Sequence, residues 1–202
     1  MCQPRSCESP PRVPHGHVIG SQTNLDVGSE VRYQCDEGFE MEETGEMYCE
    51  LKNRWAGDLP RCERISCPPP AGIQHGSIEG KDYRYGTMVT YKCDQGYELH
   101  GTSYSVCQAN KTWSYEPPEC KPISCGRLEF PEQGGIEMTD VTFGSVVKYY
   151  CHVGYELQGI RSRKCRSNGE WSGEAPTCVP VSCSQPESIS NGRYIGSDWT
   201  VG

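Results

Sequence analysis

The sequence predicts an all-β protein built from small cross-linked modules in tandem, and three observations carry that prediction. The first is the cysteine register. Steps of 28, 14 and 13 residues from Cys7 are followed by 26, 14 and 13 from Cys67 and the same again from Cys125, with four residues between copies each time. The second is the period-two placement of apolar residues ahead of the second cysteine of each copy, the signature of a half-buried strand. The third is that none of the repeated positions has helical spacing.

The elements follow in order within a copy. Seven residues before the second cysteine stands Gly28, Gly86 or Gly144, a turn position where the lack of a Cβ removes the steric penalty. Then come Val31, Val89 or Val147 and Tyr33, Tyr91 or Tyr149, which share one strand face with the cysteine. Three residues after it is Gly38, Gly96 or Gly154, followed by Phe39, Tyr97 or Tyr155. Six residues beyond the third cysteine lies Trp55, Trp113 or Trp171, and two before the fourth lies Pro60, Pro118 or Pro176.

Modules of under 60 residues cannot rely on apolar burial alone and usually need cross-links. Fourteen cysteines, 15 prolines and 23 glycines in a chain that is 35% hydrophobic mark an oxidising, extracellular compartment. Zinc sites want Cys-x2-Cys knuckles, and the chain has none. Four cysteines still allow three pairings within a module.

The four cysteines, the tryptophan, the glycines, the aromatics and the prolines recur in phase three times. In this the chain resembles tandem sushi modules, also called complement control protein modules or short consensus repeats. The resemblance implies a pairing of first with third and second with fourth cysteine: Cys7 with Cys49, Cys35 with Cys62, Cys67 with Cys107, Cys93 with Cys120, Cys125 with Cys165, and Cys151 with Cys178. It also implies that each module is a compact β-sandwich with entry and exit at opposite poles, so that tandem copies form an elongated rod. The expected domains are modules at 7–62, 67–120 and 125–178, a remnant of a preceding module at 1–6, and the truncated start of a fourth at 183–202.

Cys2 and Cys183 are expected to be unpaired, because three modules span roughly 80 Å and a disulfide needs Cα atoms within about 7 Å. Residues 184–202, with neither cross-link nor opposing sheet, are expected to be loosely docked. The sequence has no signal peptide after Met1 and no apolar run long enough for a membrane span, and reads as a piece of a longer secreted or anchored protein. The spacers Glu63-Arg64-Ile65-Ser66, Lys121-Pro122-Ile123-Ser124 and Val179-Pro180-Val181-Ser182 are too short for free coils, and adjacent modules should touch. Ile65 and Ile123 read either as wedges or as simple β-formers.

No nucleophile, base and orienter are brought together, so the reading is non-enzymatic, with no cofactor and no metal. His15 and His75 fall at one phase and read as a structural slot, and His15 with His17 lacks a third metal ligand. Specificity should lie where the copies differ. Module one is two residues longer before Gly28, which places an insertion in Gly20–Val27, including Ser21, Gln22, Thr23 and Asn24. In sushi modules this region resembles a hypervariable contact loop. Module one carries five basic and eleven acidic residues, net −6, with Glu40, Glu42 and Glu43 in a run from Glu37 to Glu50. The junction of modules one and two is expected to combine that loop with that run.

Module three holds a basic cluster, Arg161, Arg163, Lys164 and Arg166, of the kind sushi regulators use for glycosaminoglycans or complement fragments. Strand alternation puts Arg161 and Arg163 on the Cys165 face and the other two outward. Net charge −8 argues against nucleic acid as a partner. Asn110-Lys111-Thr112 is a glycosylation sequon. Three roles follow from the resemblance: a complement regulator or receptor binding activated complement fragments, a sushi segment of an adhesion or matrix mosaic protein, and the stalk of a secreted serine protease. Uniform spacers favour the first two.

Overall fold

The computed structural model describes residues 6–20, 23, 25–183, 190–193, 195 and 196. It is all-β. The strands of module one are β1 Gly16–Ile19, β2 Glu30–Cys35, β3 Phe39–Met41, β4 Glu46–Glu50, β5 Arg54–Ala56 and β6 Cys62–Arg64. Those of module two are β7 Gly76–Glu79, β8 Met88–Cys93, β9 Tyr97–His100, β10 Tyr104–Val106 and β11 Glu119–Pro122. Module three has β12 Gly134–Glu137, β13 Val146–Cys151, β14 Tyr155–Gln158, β15 Ser162–Lys164 and β16 Thr177–Pro180.

The chain divides into two compact units, one of residues up to 92 with 101–119, the other of 93–100 with residues from 120 onward. The first holds the sheet β1-β2-β4-β5, the pair β3-β6, and most of the sheet β10-β8-β7. Its core in module one is Val13, Val31, Tyr33 and Met47, with Val18, Leu25, Met41 and Trp55 against it. Val31 and Tyr33 are buried while Glu30, Arg32 and Gln34 are exposed, as period-two alternation requires. The second unit holds the sheet β12-β13-β15, the pair β14-β16, and β9 with most of β11. There Val147 and Tyr149 are buried on β13 between exposed neighbours.

Disulfides join Cys7 to Cys49, Cys35 to Cys62, Cys67 to Cys107, Cys93 to Cys120, Cys125 to Cys165 and Cys151 to Cys178, with Cα atoms 5.6–5.9 Å apart. Cys183 is free and exposed. Cys2 and most of 184–202 lie outside the described residues. The left-handed slot before the first strand of each module is taken by His15, His75 and Gln133, with φ of 57°, 55° and 57°. The His15 ring also stacks on Phe39 at 4.1 Å, and the His17 Nδ1 lies 3.1 Å from Asp36.

The tryptophans anchor differently. Trp55 and Trp113 donate their indole N–H to the carbonyls of Glu8 and Pro68, each the residue after a first cysteine. The equivalent residue in module three is Gly126, at φ 71°, a conformation neither counterpart takes. The buried Trp171 Nε1 has no hydrogen-bond partner.

Candidate functional site

The junctions between modules are built from backbone. In the first unit the spacer residue Ile65, itself buried, donates its N–H to the Gly38 carbonyl at 2.9 Å and accepts from the Tyr85 N–H at 2.7 Å. The Tyr85 ring lies over Gly38, where an added Cβ would fall 1.9 Å from it at a φ of +84°. That glycine is therefore required twice, for its backbone and for the ring laid on it. The second unit repeats the device: Ile123 donates to Gly96 and accepts from Phe143, whose ring covers Gly96. The spacer isoleucines are thus strand-like bridges bonded to the modules on both sides.

Polar contacts surround the Ile65 junction. The Tyr85 hydroxyl donates to Glu37 at 3.4 Å, and Lys111 pairs with Glu40 at 2.6 Å. Glu40 is consequently engaged by module two, whereas Glu42 and Glu43 are exposed in the turn between β3 and β4.

The expectation that the inserted loop and the acidic run meet at one junction is corrected by the register. The loop ends at the entry side of module one, where Leu25 accepts from the Cys7 N–H and Asp26 bridges Ser6. Glu37 and Gly38 lie beyond the opposite end of β2, six residues and roughly 20 Å away. The β3–β4 segment then carries the acidic run back, so that Glu46 meets Arg32 and Glu50 stands near the entry side. Thr23 is exposed, and Ser21, Gln22 and Asn24 lie outside the described residues.

The basic cluster of module three is also redistributed. Arg163 is half-buried and donates to the carbonyls of Ser172 at 3.0 Å and Gly173 at 2.9 Å, so its guanidinium holds a loop. Arg161 precedes β15 and is exposed instead of facing Cys165, which corrects the alternation argument. Lys164 and Arg166 are exposed, and β13 adds Lys148, opposite Ser162 on the same outer face as Lys164. Lys148 was not singled out in the sequence because it lies outside the cluster, 16 residues before Lys164.

Asn110 and Thr112 are exposed in a tight turn, with the Thr112 hydroxyl donating to the Asn110 Oδ1 at 2.6 Å. No group of three or more metal-ligating side chains occurs among the described residues.

Residues 7–62, 67–120 and 125–178 match the family described as sushi repeat (SCR repeat). The chain belongs to that family, whose members are secreted proteins or the extracellular parts of membrane proteins. It is 39% identical over 198 residues, 98% of its length, to a rat protein named for sushi, von Willebrand factor type A, EGF and pentraxin domains. It is 32% identical to the bovine C4b-binding protein alpha chain over 91% of its length, and 32% identical to the bovine membrane cofactor protein over 94%. The chain spans 6%, 32% and 56% of those three relatives. Sushi repeat proteins are typically non-catalytic binding modules.

Proposed function

We propose that the chain is a non-enzymatic, extracellular protein-binding segment whose recognition unit is the pair of modules one and two. The observation that carries this reading is the Ile65 junction, bonded to both modules and closed by Tyr85 over Gly38. It makes one surface of two modules, and a single small module offers too little area for the roughly 800 Å² per partner of a stable interface. The first ligand to test is an activated complement fragment, since one relative is by name a C4b-binding protein. Surface plasmon resonance of the chain on immobilised C4b and C3b should give saturable binding at micromolar concentration. Its absence on both would remove the complement reading.

The second reading is a docking or spacing segment of an adhesion or matrix mosaic protein. Its support is the higher identity, 39% against 32%, to the relative with von Willebrand, EGF and pentraxin domains. A glycosaminoglycan is a further ligand class for module three, through Lys148, Arg161, Lys164 and Arg166.

A further inference from the structure

The strand register aligns four outward positions on the main sheet of each module. In module one they are Glu30, Arg32, Glu46 and Tyr48, a charge lattice in which Arg32 meets Glu30 at 2.7 Å and Glu46 at 3.3 Å. In module three they are Val146, Lys148, Ser162 and Lys164. In module two they are Met88, Thr90, Tyr104 and Val106, with no charge among them. Met88 is 56% exposed and Tyr104 41%. Tyr115, 47% exposed, stands edge-on to Tyr104 with ring centroids 5.6 Å apart.

The fold does not need these two rings. Where module two has Tyr104 and Tyr115, module one has Glu46 and Gly57, and module three has Ser162 and Gly173. Module two nevertheless anchors the backbone of Tyr115, for the fully buried Ser105 hydroxyl accepts from the Tyr115 N–H at 3.0 Å and donates to its carbonyl at 3.2 Å. Exposed aromatic rings fixed in advance are the usual anchors of protein interfaces.

The two rings line a groove of about 490 Å³ with Tyr85, Val106 and, from module one, Glu37. Phenol rings present a negative face to a cation, Val106 adds an apolar wall, and Glu37 adds a carboxylate within an acidic module. Such a lining suits a long aliphatic stem ending in a positive charge. We propose that this groove docks a lysine or arginine side chain from a basic segment of a protein partner. This rests on the protein-binding reading and names the chemistry of the partner, without requiring a complement fragment.

The test is a titration of the ¹⁵N-labelled chain with an acetylated pentapeptide Gly-Arg-Lys-Arg-Gly and with its counterpart carrying citrulline and norleucine. The basic peptide should shift the amide resonances of Glu37, Tyr104 and Tyr115. The effect should fall at least fivefold with the uncharged peptide and in the variant Tyr104→Ser with Tyr115→Gly, which carries the residues module three has at those places. Equal shifts from the uncharged peptide would mean an apolar occupant and overturn the proposal. So would shifts that survive the double substitution or centre on Glu42 and Glu43, the mark of diffuse acidic attraction. Should that variant fail to fold, Glu37→Gln gives the same reading, since the side chain is exposed and the glutamine oxygen can still accept from the Tyr85 hydroxyl, and undiminished binding there would overturn the proposal equally. The peptides report on the groove alone, so failure to bind C4b and failure here are separate results.

Discussion

The carboxylate of Asp82 receives three hydrogen bonds from one residue: from the Arg84 guanidinium at 2.9 and 2.7 Å and from the Arg84 N–H at 3.1 Å. These bonds, the side-chain ones first, hold its pKa down to about 2 from the usual 3.8. A lowered folded-state value contributes stability above 3.8 that is lost as pH falls through about 2. A carboxyl carbon titration should give Asp82 a midpoint of about 2, returning towards 3.8 in Arg84→Gln. The reverse holds for Tyr33 and Tyr91, whose burial raises them above 10, so their contribution is present below 10 and lost as pH climbs through the raised values. The tryptophans give a second test at this scale. Trp113→Phe removes a hydrogen bond to Pro68, whereas Trp171→Phe removes a buried N–H that has none. Urea unfolding should show Trp113→Phe destabilising its module by about 1 kcal/mol more than Trp171→Phe does. Equal losses would mean that the Pro68 bond contributes nothing net. Asn110 is exposed with its sequon threonine bonded to it, and enzymatic deglycosylation of secreted material should lower the mass by one glycan, a loss that Asn110→Gln abolishes.

At the scale of the element, one inward position shows how a repeat is solved three ways. Met47, Ser105 and Arg163 are equivalent: the first packs apolarly, the second bonds the loop that carries Tyr115, and the third bonds the carbonyls of Ser172 and Gly173. Arg163 is thus tied to the fold, while Lys148 and Lys164 face solvent. On a heparin column, Lys148→Gln with Lys164→Gln should elute at lower salt than the parent, because each lost cation weakens attraction to a polyanion. Unchanged elution would remove the glycosaminoglycan reading. The alternation of Val31, Tyr33 and Cys35 was legible because burial on β2 follows period two. The recurrence of glycine at position 38 was legible too, but its cause was not, since the positive φ is a property of the backbone and the ring of Tyr85 comes from another module. Arg161 escapes the expected alternation, because alternation holds only inside a strand and β15 begins at Ser162. The separation of the inserted loop from Glu37 was hidden for a different reason: proximity in sequence does not say which end of β2 a loop occupies. Tyr104 departs from the repeat, but the departure has meaning only once register places it on an outer face and Tyr115 stands beside it.

Taken as a whole molecule, the chain depends on its sulfur. Each compact unit holds three of the six disulfides, and Cys67–Cys107 and Cys93–Cys120 of module two fall in different units. The bridges close loops of 27 and of 40–42 residues, each worth about 3.5–4 kcal/mol in the chain-entropy model. Two per module amount to about 7 kcal/mol. At roughly 0.05–0.15 kcal/mol per residue, a module of under 60 residues has a total stability of about 3–8 kcal/mol. The two quantities are of one size, because the apolar core that opposes unfolding is little more than Val31, Tyr33, Met47 and their neighbours. Reduction without denaturant should therefore unfold all three modules, with loss of the dispersed amide spectrum and of the burial of Val89 and Val147. Retention of native dispersion after complete thiol alkylation would mean that side-chain packing alone sustains the modules, and that the bridges add stability to a fold already complete without them.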